Sequence, residues 1–372
     1  MTGKKVIEYI RRKSMDMGRR SSNSKDKAEK TDNKNVENEV DVEKNEENEE
    51  NEENEEKEVK LENEEDEIDK EKSSGDPCEG LSFKVGVSEN KNSKFRRTME
   101  DVHTYVANFC ERLDWGYFAV FDGHAGKQCA RWSGSNLHNL LHENIMKDNC
   151  NDLREGLNKT FIEADKEISK IKGIGSSGCT AAVAILRWEE EVDGEDGEEG
   201  EENENKNEEI NREGKFEFIP TRRHKRILYT ANVGDTRIVL SRGGKAIRLS
   251  YDHKGSDVNE VKRIFRQGGV VLGGRVNGVL AVSRSLGDIY LKDHVIGIPY
   301  TTMTEIKKED EFIIIGCDGL WDVCTDEKAI SLIRGIKDAQ RASEVLTEYA
   351  MKRGTTDNVT VMVVLLEQEV FK

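Results

Sequence analysis

"YFAVFDGHAG", residues 117–126, sets five apolar or aromatic residues directly before Asp122, Gly123 and His124. Tyr117–Phe121 has the length and bulk of a strand buried on both faces. With no polar spacer, that strand delivers a carboxylate and an imidazole at one rim. Working outward, the same arrangement recurs. Asp318 follows "FIIIGC" and is trailed by Asp322, and Asp235 sits in "YTANVGDTR". Asp288 sits in "LAVSRSLGD", Asp357 precedes the apolar run "VTVMVV", and Glu100 and Asp101 precede "VHTYV".

An Asp beside Gly is an ordinary turn pair, and any one of these motifs alone reads as a turn. Their repetition reads differently, because anions next to a core are costly unless paired or metal-bound. Arg97, Arg237 and Arg284 are the candidate partners that would make them ordinary ion pairs. Otherwise the set is an oxygen-donor site for hard divalent ions, Mg²⁺ or Mn²⁺. Two such ions form a clamp for in-line phosphoryl displacement. Arg96, four residues before Glu100, offers a planar fork for phosphate oxygens. His124 offers a proton for a leaving group, and Gly123 lets its carbonyl approach metal. His253, in "YDHK", is expected in a polar turn with a surface or flap role.

The chain has 372 residues, with 35% hydrophobic and 36% charged content and a net charge of −17. The charge is segmental. Residues 1–30 carry net +6, residues 31–70 net −15 and residues 189–214 net −12, which leaves the remainder at +4. The Glu/Asn-rich tail is predicted disordered, since it has little apolar surface to bury. The reading is a disordered tail over 1–80, basic then acidic, and one catalytic domain over 81–368 with a disordered acidic insertion at 189–214. The seven Cys form no C-x-x-C pair. They are expected to be reduced and mostly buried, in a cytoplasmic or nuclear protein with no signal peptide and no membrane span.

Strands are predicted over 104–109, 117–121, 180–186, 227–233, 237–242, 312–316 and 359–365, and helices over 127–146, 152–170, 257–267, 326–335 and 342–353. Short Gly/Asp turns between strands imply antiparallel pairing. The predicted class is α+β.

The ordered motifs "RRTMED", "FAVFDGHAG", "SGCTA", "ANVGDTR", "DHK", "RVNGVLAVSRSLGD", "CDGLWDV" and "GTTDNVTVMVV" resemble those of the metal-dependent Ser/Thr protein phosphatases, the type 2C (PPM) family. They look most like the small fungal members of stress MAP kinase pathways. The resemblance implies a four-layer α-β-β-α sandwich with two central antiparallel sheets. It implies two Mg²⁺ or Mn²⁺ ions, with a weak third, and hydrolysis of phosphoserine and phosphothreonine by a metal-bridging hydroxide. Carried over by motif, Asp122 bridges both ions. Asp318 and Asp357 complete one, Glu100 and the Gly123 carbonyl serve the other, and Asp101 contacts metal through water. Asp235 and Asp322, with Asp318, match the weaker third position. Arg96 matches the phosphate-binding arginine and His124 the general acid. Asp288 looks structural, and residues 252–276 match a flap. The implied partners are phosphorylated proteins, protein kinases among them, with no nucleic acid and no membrane, and the implied state is a monomer. Two other classes compete: a phosphoprotein-binding scaffold with a structural metal site, and a hydrolase of small phosphoesters.

Overall fold

The computed structural model describes Cys78, residues 80–148 and 152–190, Thr221, and residues 223–367. The tail over 1–77, most of the acidic insertion and Cys150 lie outside the described residues.

β3 (Gly116–Phe121) decides the architecture. All six of its residues are buried. Successive side chains of a strand point to opposite faces. Tyr117, Ala119 and Phe121 enter one core, while Phe118 and Val120 enter another. A strand apolar on both sides must lie between two packed layers. β3 sits within one five-stranded sheet of order β13-β7-β6-β3-β2, formed by Tyr300–Glu305, His224–Val233, Ala181–Glu190, β3 and Val102–Ala107. The second five-stranded sheet has order β1-β15-β14-β8-β9, formed by Phe83–Asn90, Val359–Leu366, Asp310–Gly316, Arg237–Arg242 and Lys245–Arg248. Every pairing within these two sheets is antiparallel.

The two sheets bury their facing sides against each other. Phe83 meets Phe118 edge-to-face at 5.2 Å, within a core that includes Ala182, Ile238, Ile313 and Met362. Full burial of each such large side chain is worth about 1.5–3 kcal/mol. The outer face of β3's sheet is covered by α1 (Gln128–Asp148) and α2 (Leu153–Lys170), through Leu137, Leu141, Leu157 and Phe161. The other outer face is covered by α5 (Asp326–Ile333) and α6 (Ala339–Lys352), through Ile330, Ile333, Leu346 and Ala350. The result is an α-β-β-α sandwich, as expected.

Local chemistry fixes the ends of these elements. Asp152 caps α2 by accepting from the Arg154 amide at 2.9 Å, and Thr325 caps α5 by accepting from the Lys328 amide at 3.2 Å. Such caps satisfy helix-end donors that have no partner within the helix. The β8–β9 hairpin turns through Gly243 and Gly244, with φ of 55° and 76°. Two consecutive positive-φ residues suit the twist of a two-residue hairpin, and glycine adopts them without a steric penalty. A small third sheet, β12-β5-β4, comprises Leu286–Gly287, Gly178–Cys179 and Gly123–His124. The flap carries α3 (Val258–Arg266) and the two-stranded β10-β11 sheet (Val271–Leu272 and Arg275–Val276). α4 is the single turn Asp318–Trp321.

Three strands of the two large sheets were not expected from the sequence, β1, β9 and β13, and neither were the two-residue strands β4, β5, β10, β11 and β12. β1 and β13 interleave charged or Thr residues with their apolar ones, and β9 is only four residues long. Their strand state comes from partners distant in the chain. The predicted insertion boundary also shifts, because β6 continues through Glu189 and Glu190. Six cysteines are described, and all are buried. No helix among the described residues is long and apolar enough to cross a membrane.

Candidate active site

The carboxylates named from the sequence converge where strands of both large sheets end. Asp122 leaves β3, and its amide donates to Thr180 Oγ1 at 3.3 Å while its carbonyl accepts from the Thr180 amide at 2.9 Å. Asp318 opens α4 directly after β14. Asp357 lies two residues before β15, and Glu100 and Asp101 immediately precede β2. Asp235 lies in the β7–β8 turn. Ligand atoms of Asp101, Asp122 and Cys317 all lie within 4.8 Å of one another.

The electrostatics of this cluster are those of uncompensated negative charge. Burial, then Asp318, Asp101, Asp235 and Asp357, push the Asp122 carboxyl well above the usual carboxylate range. Burial, then Asp235, Asp357, Asp322 and Asp101, do the same to Asp318. Burial raises Asp101 to about 7 although it accepts from Thr360 Oγ1 at 2.8 Å. Burial also raises Asp235 and Asp357, against the pull of Lys254 and Arg96 respectively. Mutual elevation of this kind is what crowded carboxylates show.

Two of the arginines that could have neutralised them are engaged elsewhere. Arg237 binds Asp252 and Asp326, and Arg284 binds Glu260. Among the described residues, Arg96, on Asp357, and Lys254 form ion pairs at the site. Lys254 Nζ lies 3.4 Å from Asp235 Oδ2 and 3.1 Å from Asp322 Oδ1. A tethered ammonium thus stands between the two carboxylates matched to the weak third position. Nothing in "DHK" marks that lysine as reaching two aspartates.

Arg96 is held by a latch the sequence did not disclose. Its Nε donates to the Thr356 carbonyl at 3.2 Å, and its Nη2 binds Asp357. Asn92 Nδ2 donates to the carbonyls of Thr355 and Asp357 at 2.8 and 3.1 Å. Asn358 Nδ2 donates to the carbonyls of Lys91 and Thr98 at 2.7 and 3.1 Å, and its Oδ1 accepts from the Glu100 amide at 3.0 Å. Two asparagines therefore bolt the Arg96 loop to the Asp357 loop across the whole length of the chain. The pattern that could have flagged Asn358 is an Asn next to a site Asp, which is too common to single out, and Asn92, between Lys91 and Ser93, carries no such mark.

Glu100 Oε2 accepts from the Gly126 amide at 3.1 Å, tying it to the His124 turn. At Gly123 a Cβ would lie 2.4 Å from the Glu100 carbonyl oxygen, so only glycine permits this approach. His124 faces Asp288, Nε2 to Oδ2, at 2.7 Å. The surface alternative for His253 is corrected. It is 1% exposed, its Nδ1 lies 3.2 Å from the Gly234 carbonyl oxygen, and burial lowers its pKa to about 4. It is a neutral packing residue at the start of the flap segment rather than a surface group.

The protein phosphatase 2C family profile matches residues 85–190 and 194–359. The chain belongs to the protein phosphatase 2C family. It is 52% identical over 286 residues to protein phosphatase 2C homolog 1 of Saccharomyces cerevisiae, covering 77% of this chain and 94% of that one. It is 42% identical over 291 residues to protein phosphatase 2C homolog 1 of Schizosaccharomyces pombe, covering 78% and 75%. Among solved structures, a phosphatase from Toxoplasma gondii superposes with a TM-score of 0.60 at 20% identity, covering 78% and 94%. A Caenorhabditis elegans sex-determining protein does so with a TM-score of 0.61 at 22% identity, covering 78% and 67%.

This type 2C protein serine/threonine phosphatase belongs to a metal-dependent family, and its residues fit a divalent ion. Asp318 Oδ1 is buried without a hydrogen-bond partner among the described residues, an orphan acceptor that a cation would satisfy. The donors are hard oxygens. The sulfur nearby is unsuited to a hard ion, since burial holds the Cys317 thiol well above its usual range and protonated. Arg96→Ala removes a partner of Asp357 and the guanidinium that the sequence matches to a phosphate-binding arginine. Its expected effect is a fall in kcat/KM of about 10- to 100-fold, the range for hydrogen bonds to charged groups. Initial rates on a phosphoserine peptide in Mn²⁺ measure it, and an unchanged kcat/KM refutes the assignment.

Proposed function

We propose that this phosphatase hydrolyses phosphoserine and phosphothreonine in protein kinases of a stress-activated cascade, as a monomeric negative regulator in the cytoplasm or nucleus. The observation that carries the chemistry is the convergence of Asp101, Asp122, Asp318 and Asp357, mutually repelling, beside Arg96 and His124. Glu100, Asp122, Asp318 and Asp357, with the Gly123 carbonyl, would hold two Mg²⁺ or Mn²⁺ ions, and Asp101 would contact them through water. Such ions make water nucleophilic at neutral pH and offset charge on the phosphoryl oxygens. Arg96, anchored to Thr356 and Asp357, presents its guanidinium fork to the non-bridging oxygens. His124 gives a proton to the departing side-chain oxygen. The cascade assignment is supported by the resemblance of the ordered motifs to small fungal members of the family.

The chemical test is turnover of a phosphoserine peptide with Mn²⁺, with chelator, and with free phospho-metabolites in place of the peptide. The expected result is metal-dependent peptide hydrolysis that chelator abolishes. Binding without turnover selects the scaffold reading, and preference for metabolites selects the small-phosphoester reading. Phosphoproteomics after rapid inactivation of the protein, with an Asp122→Asn control, tests the kinase substrates. Kinase activation-loop sites are expected to rise, and their absence from the response refutes that assignment.

A further inference from the structure

The small β12-β5-β4 sheet brings together two residues that lie 164 positions apart. In its register His124 pairs with Gly178, and Gly178 pairs with Gly287. Asp288, the next residue, reaches past the middle strand to His124, with Oδ2 2.7 Å from Nε2. The meeting is possible because position 178 has no side chain. A Cβ there would lie 2.2 Å from Asp288 Oδ2 and 2.5 Å from His124 Nε2.

Asp288 is held for this contact at evident cost. It is 0% exposed, its backbone is left-handed with φ 47°, and Oδ1 has no hydrogen-bond partner among the described residues. Ser285 Oγ donates to Oδ2 at 2.5 Å, and the Asp288 amide donates to the Ser177 carbonyl at 3.2 Å. A buried, half-satisfied carboxylate in a strained backbone calls for a function beyond turn formation. His124 keeps 25% of its side-chain surface exposed.

We infer that Asp288 is a positioning residue for His124: it accepts the Nε2 proton, fixes the ring, and makes Nδ1 the atom that protonates the leaving oxygen. The inference rests on the general-acid reading of His124 given above. In the reaction a bond forms between a water oxygen and phosphorus. The bond from phosphorus to the side-chain oxygen breaks, with its electron pair on that oxygen. The oxygen takes the Nδ1 proton, and the proton released by the attacking water restores the ring through solvent. The Nε2 proton stays with the ring throughout. A second-row orienting carboxylate of this kind sets tautomer and angle without touching substrate.

The test has a spectroscopic arm and a kinetic arm. In protein labelled with ¹⁵N-histidine, without transition metal and above the imidazole titration, long-range ¹H–¹⁵N spectra should show His124 as a single Nε2–H tautomer. Asp288→Ala should convert it to a mixture. A wild-type Nδ1–H tautomer overturns the inference. In the kinetic arm, Asp288→Asn and Asp288→Ala are compared on a phosphoserine peptide and on p-nitrophenyl phosphate, whose leaving group needs no proton. General acids contribute about 10²–10⁴-fold. Asp288→Ala should therefore lose about a hundredfold on the peptide and less than a tenth of that on the aryl ester, with Asp288→Asn intermediate. The ratio of the two rates within one preparation is independent of how much protein folded. His124→Ala/Asp288→Ala should be no slower on the peptide than His124→Ala alone. Equal losses on both substrates, or multiplying losses in the double variant, overturn it. A loss in His124→Ala that ignores the leaving group refutes the acid reading instead, while the tautomer reports on Asp288 separately.

Discussion

Asp318→Asn is expected to remove nearly all phosphatase turnover and, at the same time, to make the metal-free protein more stable. The two effects have one cause. In the absence of metal the Asp318 carboxyl is buried and repelled by Asp235, Asp357, Asp322 and Asp101, and its Oδ1 has no partner among the described residues. An amide of the same shape removes one charge from the cluster and adds a donor that neighbouring carboxylates can accept. Buried groups kept for function and not for stability show this trade. For activity the loss is expected to be at least about a thousandfold, the upper end of what one preorganised electrostatic contact is worth. For stability a gain of a few degrees is expected, since about 1 kcal/mol corresponds to roughly 2–4 °C in a domain of about 150–250 residues. The checks are peptide hydrolysis in Mn²⁺ and thermal unfolding in chelator. A variant that turns over normally, or whose metal-free melting temperature falls, contradicts this account of the site.

The second large effect is an inversion of the pH dependence of stability by metal. A carboxyl whose folded pKa exceeds its unfolded value binds more protons folded than unfolded, so stability falls as pH rises between the two values. For Asp101 that window runs from 3.8 to about 7. For Asp122 and Asp318 it extends well above the ordinary range. His253 works in the opposite direction, since burial lowers its pKa from 6.5 to about 4, but its contribution is complete by pH 6.5. Above pH 6.5 the metal-free protein is therefore expected to lose melting temperature as pH rises. With saturating Mn²⁺ the slope reverses, because the ion binds the deprotonated ligands and stabilises only the folded state. Asp318→Asn should flatten the metal-free slope relative to wild type. Parallel slopes for the two proteins in chelator would sink the proposal that these carboxylates carry the effect.

Much of this was legible in the chain itself. The apolar run Tyr117–Phe121 marked a strand buried on both faces, because five consecutive apolar residues cannot face water on alternate sides. Asp, Gly and His directly after it placed chemistry at a strand end, since the chain must turn there and backbone becomes accessible. Likewise the predicted starts of α2 and α5, at 152 and 326, fall within one residue of the observed ones, because the side-chain hydrogen bonds of Asp152 and Thr325 that cap them are local.

What the chain could not disclose depends on separation in sequence. β13 is written as "YTTMTE", and only its pairing with β7 makes it a strand. His253 reads as a turn residue, and burial against Gly234 makes it a neutral one. Asp288 reads as a loop aspartate until Gly178 is seen between it and His124. Local sequence determined which residues could carry charge, cap a helix or cross a core, because those properties belong to a side chain and its neighbours in the chain. Tertiary structure decided which charges repel, which are paired and which nitrogen of His124 is occupied, because Coulomb interactions and hydrogen bonds act over ångströms in space and ignore the distance along the backbone.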